Sequence, residues 1–247
     1  IYGVNPTHHF LENNGDGTFQ DTTEKVAYEV KNAGMITDAI WKDVDNDGNK
    51  DLITVSEWDT PKIFINNGKR LKKQTSVLDD LHGMWNVVEA ADLDNDGDLD
   101  FIFGNQGSNI MHKPSFENPL KMWVNDFDNN GTIEQIMTKH NQGKDYPIHM
   151  KKELTSQLVS LKKQNLKASE YAKKSIDELF PPSIFDKSIM KKSAISETII
   201  AVNDGKGDFT TKKLPSRVQL SCVCGIVCTD VNNDGYLDIV MAGNNFE

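Results

Sequence analysis

Short apolar runs bounded by Gly, Asn and Asp recur along most of this chain. Four of them lead into a short acidic stretch, and these are MITDAIWK, MWNVVEAA, LKMWVN and CVCGIVCT. Four others follow an acidic stretch: LITVSEW, LDFIFGN, IEQIMTKH and LDIVMAG. Because Val, Ile, Phe and Trp are frequent in these runs, they are predicted to be β-strands. Each acidic stretch would then join two strands.

The acidic stretches align with one another without gaps. Each has the order acid, apolar residue, Asp or Asn, Asn, Asp or Asn, Gly, two variable residues and a closing acid. The four copies, which we call loops 1 to 4, are Asp43–Asp51, Asp92–Asp100, Asp126–Glu134 and Asp230–Asp238. A repeated unit of this size is typical of folds in which neighbouring repeats bury each other's faces.

A second element recurs beside these loops. It places Asn-Gly or Asp-Gly between apolar residues, which is a strong hairpin signal because both turn positions favour positive φ. Its three copies are Leu11–Phe19, Phe64–Leu71 and Ala201–Phe209. Units of four short strands at this scale are typical of propeller blades. The predicted fold class is therefore all-β, built from β-propeller blades.

One region departs from this pattern. Met150–Phe180 is rich in Lys, Glu, Leu and Ala, which are good helix formers, and Leu154, Leu158 and Leu161 recur at helical spacing. We expect an amphipathic helical insertion packed on the propeller; a helical face that binds a partner is the alternative. The predicted domains are residues 1–145, with loops 1 to 3; residues 146–192, the helical insertion; and residues 193–247, a further blade with loop 4.

The spacing of oxygen-bearing residues in the loops indicates a site for a hard cation. Side chains at positions 1, 3 and 5 would point inward, glycine at position 6 permits a sharp turn, position 7 would offer its carbonyl oxygen, and position 9 returns a carboxylate. Oxygen ligands without His or Cys favour Ca2+, whereas Mg2+ demands a stricter octahedron. The predicted ligands are Asp43, Asp45, Asp47, Asn49, Asp51, Asp92, Asp94, Asp96, Asp98, Asp100, Asp126, Asp128, Asn130, Thr132, Glu134, Asp230, Asn232, Asp234, Tyr236 and Asp238.

Two alternatives compete with such a calcium site. EF-hand loops share the first six positions but need a bidentate Glu at position 12 and a helix on each side. Position 12 is held here by Thr54, Phe103, Met137 and Met241, which excludes the EF-hand. Simple polar hairpin turns account for Asn and Gly but not for regularly spaced carboxylates. That alternative stays open for loop 3, which has Asn130 at position 5, and for loop 4, which has Asn232 at position 3.

Charge and composition exclude several classes. The formal net charge of −10 opposes nucleic-acid binding, which needs clustered Lys and Arg. No apolar run is long enough to span a membrane. The first residues carry neither an initiator Met nor a signal peptide, so we expect a piece of a longer chain that holds the remaining blades. Cys222, Cys224 and Cys228 alternate with apolar residues and are interpreted as part of a buried strand rather than a zinc site.

These residues resemble the FG-GAP/VCBS repeats of integrin α-like β-propellers, whose inter-strand loops bind calcium through a DxDxDGxxD motif. The stretch NNGDGTFQDTTEKV, followed by DAIWKDVDNDGNKDLITVSE, is similar to the variant in ASPIC/UnbV-associated bacterial surface proteins. The resemblance implies a propeller, usually seven-bladed, of which this chain would supply about four blades. No Gly-Ala-Pro signature is present, and integrin ligand binding depends on a partner subunit, so that function does not carry over.

Two classes of function remain. The favoured one is a non-enzymatic module for adhesion or binding, with a protein or a glycan as its partner. It would be secreted or on the outer cell surface, or periplasmic, because calcium is near millimolar outside cells. The other is a polysaccharide lyase or glycoside hydrolase, for which His140, Asp145 and His149 are the candidate acid–base or metal cluster; surface or packing histidines are the preferred interpretation.

An exposed tryptophan would favour a glycan as the partner, because sugar rings stack on exposed aromatic side chains. Trp41, Trp85 and Trp123 lie in runs that lead into loops and are predicted to be in the core. Trp58 lies in SEWDTP and is the predicted exposed candidate for sugar stacking.

Overall fold

The computed structural model describes residues 1–164 and 167–243, and it is mostly antiparallel β-structure with a few short helices. The chain divides into two compact units. Unit 1 consists of Ile1–Val4 and His112–Ile195, and unit 2 of Asn5–Met111 and the segment that begins at Ser196. Within the described ranges, no helix is long and apolar enough to cross a membrane.

The strands and helices of the described residues are short. In chain order the strands are β1 (Leu11–Asn13), β2 (Phe19–Asp21), β3 (Met35–Lys42), β4 (Asp51–Asp59), β5 (Lys62–Asn66), β6 (Leu71–Gln74), β7 (Gly83–Met84), β8 (Val87–Ala91), β9 (Asp100–Gly104), β10 (Leu120–Asn125), β11 (Glu134–Asn141), β12 (Lys144–Pro147), β13 (Ile189–Ser193), β14 (Ile199–Asn203), β15 (Phe209–Lys213), β16 (Gly225–Thr229) and β17 (Asp238–Ala242). The α-helices are α1 (Thr23–Val26), α2 (Lys151–Gln157), α3 (Val159–Gln164), α4 (Ala168–Tyr171), α5 (Ile176–Leu179) and α6 (Pro182–Phe185). The 3-10 helices are Val77–Asp80 and Val218–Leu220.

Unit 2 holds two larger sheets and two separate hairpins. The first sheet has the strand order β3-β4-β5-β6, with β7 also paired to β4, and the second has the order β15-β14-β9-β8. The strands β1 and β2 form one hairpin, and β16 and β17 form the other. Loop 1 joins β3 to β4, loop 2 joins β8 to β9, and loop 4 joins β16 to β17. The prediction that each acidic loop joins two antiparallel strands is confirmed for these three.

The second sheet of unit 2 is assembled from two distant parts of the chain. Ala201 of β14 pairs with Phe101 of β9, so the chain returns after unit 1 to the sheet that β8 and β9 begin. The predicted domains 1–145, 146–192 and 193–247 divide the chain by blades and insertion rather than by compact units, and they remain a prediction. Residues 165–166 and 244–247, which fall in the second and third predicted ranges, lie outside the described residues.

Aromatic side chains join these two distant parts in one core. The Phe101 ring stacks on Phe103 with centroids 6.2 Å apart and meets the edge of Phe209, from β15, at 5.8 Å. Trp85 packs edge-on against Phe103 at 6.0 Å. Phe101, Phe103 and Trp85 are fully buried, so the β9–β14 pairing is stabilised by apolar burial as well as by backbone hydrogen bonds.

Unit 1 combines a four-stranded sheet with the helices. Its strand order is β12-β11-β10-β13, and loop 3 joins β10 to β11. The leucines at helical spacing, Leu154, Leu158 and Leu161, are buried against Phe127 and Ile136 of the sheet side. Short helices therefore occur where helix-forming residues predict them, and their apolar face is covered within this unit.

Three predictions about side-chain burial are wrong. Trp58 is only 5% exposed, because it lies on β4, an inner strand of its sheet that is buried along most of its length. Trp41 is 43% exposed, because β3 is an edge strand with alternating exposure. Cys224 is exposed because β16 begins only at Gly225, and Val223 and Ile226 turn toward the core instead. Trp85 is buried, as predicted, and Trp123 is half-buried.

We predict that Phe101→Ala lowers the free energy of unfolding by about 3–5 kcal/mol, because it leaves a cavity where β9 meets β14 and β15. Urea denaturation measures this change. Phe19→Ala is the matched control, since Phe19 is 60% exposed, and we expect a change within about 0.5 kcal/mol. Equal effects of the two substitutions would contradict the description of this core.

Candidate metal centre

The four acidic loops share one backbone conformation. The Asn at position 4 has positive φ in each copy: Asn46 (58°), Asn95 (60°), Asn129 (55°) and Asn233 (60°). The glycine at position 6 also has positive φ in each copy: Gly48 (90°), Gly97 (97°), Gly131 (85°) and Gly235 (87°). Asn and Gly are the residues that visit this region at least cost. The motif indicated the turn role of the glycine, but the Asn at position 4 of all four loops serves the same turn, which its sequence pattern did not indicate.

Carboxylate and amide oxygens of each loop hold its backbone. The position-1 carboxylate accepts the position-6 N–H at 2.9, 3.0, 2.8 and 2.9 Å in loops 1 to 4. The position-5 side chain accepts the position-7 N–H at 2.7, 2.9, 2.7 and 2.9 Å. The position-9 side chain, which we call the closing carboxylate, accepts the position-2 N–H in all four. Loops 3 and 4, despite their Asn substitutions, therefore fold as loops 1 and 2 do.

The closing carboxylates of loops 1 and 2 also bind the second repeated element. Asp51 Oδ1 accepts the backbone N–H of Asn66 at 2.8 Å, and Asp100 Oδ1 accepts that of Asn203 at 2.9 Å. Both Asn residues begin the turn of the following hairpin. Gly205 in that turn lies so close to loop 2 that an added Cβ would be 2.2 Å from Asp98 Oδ2. The two repeated elements are thus parts of one loop–hairpin unit.

Loop 4 lacks this second contact in the described part of the chain. Its closing carboxylate, Asp238, is exposed and accepts the N–H of Val231 at 3.1 Å. The closing carboxylates of the other loops, Asp51, Asp100 and Glu134, are buried at 0%, 0% and 4% exposure. The most favourable environment for a cation is therefore at loops 1 to 3.

The pKa values of the three buried closing carboxylates are raised, so a nearby positive charge would stabilise their ionised form. Burial raises the pKa of Asp51, Asp100 and Glu134, and the neighbouring loop carboxylates raise each pKa further. The hydrogen bonds from backbone N–H groups lower each pKa but do not outweigh these effects. A bound divalent cation would reverse this balance, because it stabilises the ionised carboxylates.

Ligand-type oxygens converge in three of the loops. In the residues that the structure describes, atoms that lie within 4.8 Å of one another come from Asp43, Asp45 and Asp51; from Asp92, Asp94 and Asp96; and from Asp126, Asp128 and Glu134. In loop 3, Asp128 Oδ1 is buried and has no hydrogen-bond partner among the described residues. A buried carboxylate oxygen without a donor is costly unless a cation satisfies it. These residues therefore fit a metal ion.

The remaining predicted ligands have the following positions. Asn130 and Asp47 each accept the N–H of position 7. In loop 4, Asn232 accepts the N–H of Asp234 through Oδ1 and donates its amide to the Asp234 carboxylate, and Asp230, Asp234 and Asp238 do not form a group of the kind found in loops 1 to 3. The residues at position 7 are predicted to offer their carbonyl oxygens. Of their side chains, Asn49 donates to Asp47 and Asp98 accepts from Asn46. Thr132 and Tyr236 are exposed.

The position-4 asparagines also link the loops of unit 2 to one another. Asn46 Nδ2 of loop 1 donates to Asp98 Oδ1 of loop 2 at 2.7 Å, and Asn95 Nδ2 of loop 2 donates to Gly235 O of loop 4 at 3.0 Å. The Asn203 side chain donates to Val44 O of loop 1 at 2.9 Å. Loops 1, 2 and 4 therefore form one hydrogen-bonded row, which the sequence did not indicate.

The candidate acid–base cluster of unit 1 forms in part. His140 Nδ1 lies 2.7 Å from Asp145 Oδ1 across the β11–β12 pair, and Lys121 donates to Asp145 Oδ2 at 2.8 Å. His149 instead accepts the backbone N–H of Met137 through Nε2, and burial lowers its pKa. His140 and Asp145 are thus in contact, while the hydrogen bond of His149 is to the backbone of β11.

Part of the chain matches a protein-family model. The family described as FG-GAP-like repeat matches residues 43–103, which run from the start of loop 1 to the strand after loop 2. This match supports the resemblance to FG-GAP/VCBS repeats for that part of the chain. No curated protein gives a significant match.

We predict that Asn46→Ala lowers the free energy of unfolding by about 1–2 kcal/mol, because Ala tolerates the left-handed conformation poorly. Urea denaturation in the presence of EGTA measures this without a metal contribution. Asn46→Gly is the matched control: it loses the same side-chain bond to Asp98 but keeps the favoured backbone, so it should be more stable than Asn46→Ala. A Gly variant no more stable than the Ala variant would contradict the strained turn.

Proposed function

We propose that this chain is part of a calcium-stabilised β-propeller of the FG-GAP/VCBS type that serves as a binding or scaffold module. The observation that carries the proposal is the loop–hairpin unit, in which the closing carboxylates Asp51 and Asp100 accept backbone N–H groups from their own loop and from the next hairpin. The FG-GAP-like repeat match at residues 43–103 supports it.

The sheets support the propeller. Each larger sheet of unit 2 has four main strands in antiparallel order, as a propeller blade does. The row of loops linked by Asn46 and Asn95 is the arrangement expected when successive blades present equivalent loops on the same side. In this proposal the His112–Ile195 part of unit 1 interrupts one blade between β9 and β14, since those two strands pair with each other.

Calcium is the cation that suits these loops best. Their donors are carboxylate, amide and carbonyl oxygens, and Ca2+ accepts six to eight such ligands in irregular geometry. Asp43, Asp45 and Asp51 would hold it in loop 1, and the corresponding groups named above would do so in loops 2 and 3. The bound ion would neutralise carboxylates that otherwise repel one another, and the chain's own N–H groups would keep those carboxylates in place.

The proposed setting is extracellular, periplasmic or at the outer cell surface, as for ASPIC/UnbV-associated bacterial surface proteins, because exposed calcium loops bind their ion where calcium is near millimolar.

The proposed partner is a protein or a glycan, which the chain would bind without catalysing a reaction. Trp41 supports a glycan contact: it is 43% exposed, and its ring meets the edge of Phe10 with centroids 6.0 Å apart. An amphipathic aromatic surface of this kind stacks on sugar rings.

The alternative is a polysaccharide lyase or glycoside hydrolase, and the His140–Asp145 pair is the observation that favours it. A carboxylate-oriented imidazole can act as a general base. Incubation with uronate polysaccharides separates these functions: a lyase gives an unsaturated product that absorbs ultraviolet light, a hydrolase gives only new reducing ends, and a binding module gives neither. If the chain turns over the polysaccharide and His140→Ala abolishes that turnover, the enzyme is the correct proposal and the binding module is not.

We predict that EGTA lowers the melting temperature by several degrees and that millimolar Ca2+ restores it, because a ligand that binds only the folded state stabilises it. Differential scanning calorimetry measures this. Asp94→Asn should lower the melting temperature in Ca2+ but not in EGTA, since Asp94 belongs to the oxygen group of loop 2. Asp186→Asn, at an exposed site in unit 1, should change neither. Identical melting curves with and without calcium would refute the calcium proposal.

We also predict that Trp41→Ala weakens retention on a glycan array, while Phe116→Ala, which removes another exposed aromatic ring, does not. Loss of one stacking surface costs about 1 kcal/mol or more, a several-fold drop in affinity. Equal retention of the two variants would exclude Trp41 from the contact, and binding only to protein ligands would favour the protein partner.

A further inference from the structure

Two cysteines come into contact just before β16. Cys222 Sγ and Cys224 Sγ lie 3.1 Å apart. Cys224 is exposed and Cys222 is half-buried, whereas Cys228 lies within β16. The sequence pattern predicted all three as apolar residues of a buried strand, and the function proposed above makes no use of this contact.

The backbone explains why the two sulphur atoms meet. Side chains alternate sides along an extended segment, so Val223 points one way and its two neighbours point the other. Val223 is buried beside Ile102 and Ile226. Its N–H donates to Asn105 O at 3.0 Å, and the Cys224 N–H donates to Ala242 O at 2.9 Å. These anchors hold the segment on both sides and keep the thiols facing one another.

A third group is aimed at the pair. Asn86 Nδ2 lies 3.1 Å from Cys222 Sγ, so an amide donor is directed at that sulphur. Burial and the neighbouring Cys224 raise the pKa of Cys222 to about 12. The buried thiol is thus the poorer nucleophile, and the exposed Cys224 is the member that reagents reach first.

We propose that Cys222 and Cys224 are a reversible redox pair that closes to a disulfide by exchange with a low-molecular-weight disulfide such as oxidised glutathione. The Cys224 thiolate attacks one glutathione sulphur, the glutathione disulfide breaks, and the released thiolate takes up a proton. Cys222 then loses its proton and attacks the Cys224 sulphur, which releases the second glutathione as a thiol. Two protein thiols are oxidised, and one glutathione disulfide is reduced to two thiols.

The position of the pair gives the bond a structural consequence. The bond would close a small ring around Val223, in a segment that contacts both Asn105 after β9 and Ala242 at the end of β17. Exposed or strained disulfides are the readily reduced ones. The pair is therefore a reversible modification site at the connection between the β16–β17 hairpin and the second sheet of unit 2, rather than a permanent crosslink.

The test uses the full chain, first reduced and then incubated with oxidised glutathione. Free thiols are blocked with iodoacetamide, and intact mass is measured before and after blocking. We expect a mass lower by two hydrogen atoms, one blocked cysteine after oxidation and three after reduction with dithiothreitol. No Lys or Arg lies between Arg217 and Cys228, so all three cysteines fall on one tryptic peptide, and fragment ions must place the block at Cys228.

Three variants make the result specific. Cys228→Ser should still close the disulfide. Cys222→Ser should stop at a glutathione adduct on Cys224, because the resolving thiol is gone, and Cys224→Ser should form no internal disulfide. The proposal is overturned if the wild-type chain keeps three reactive thiols, if it accumulates only glutathione adducts, or if Cys228→Ser prevents closure. The wild-type measurement decides even if a variant fails to fold.

Discussion

Asp51 and Asp100 are carboxylates without solvent exposure, and each accepts backbone N–H groups from two directions. One donor belongs to the loop that the carboxylate closes, and the other belongs to the turn of the next hairpin. This interaction couples the two repeated elements of the sequence, because neither the loop nor the hairpin turn satisfies its polar groups alone. It also concentrates negative charge under the loop, where burial and like charges raise the pKa of each closing carboxylate. A bound cation would relieve that cost.

The loops are joined to one another as well as to their hairpins. Asn46 and Asn95 have backbone conformations that form the turn and side chains that reach the neighbouring loop. One residue type thus serves both the local turn and the link between repeats. Because β14 returns to pair with β9, a blade-like sheet tolerates the residues of unit 1 between its second and third strands. β9 ends at Gly104 and β14 begins at Ile199, and Ile199 pairs with Phe103, so the intervening residues leave and rejoin the sheet at neighbouring strand ends.

Local signals in the sequence predicted the loops well. The four loop boundaries, the glycine turn and the strands on each side all follow from short-range patterns, and loops 1 to 4 have the same hydrogen bonds despite Asn130 and Asn232. The helix-forming stretch with Leu154 and Leu158 likewise shows its buried face through spacing alone.

The pairing of strands that are distant in the sequence could not be predicted from these short-range patterns. The β9–β14 pair joins strands that nothing in their residues marks as partners. Trp58 was expected to be exposed because it lies beside turn-forming residues, yet β4 is a central strand there. The alternating pattern predicts Cys222 and Cys224 in a strand, but β16 begins after them at Gly225, so the pattern gave no indication of their contact. Asp51 accepts the backbone N–H of Asn66, and a pattern of side-chain types carries no information about such a partner.

The central claim is that the oxygen groups of loops 1 to 3 are calcium sites. Native mass spectrometry of the metal-free chain, titrated with Ca2+ and separately with Mg2+, counts bound ions directly. The account predicts that three Ca2+ ions bind before any fourth, that Mg2+ does not replace them at equal concentration, and that Asp94→Asn removes one. A chain that binds no Ca2+ at millimolar concentration, or takes up ions without saturating, would contradict it.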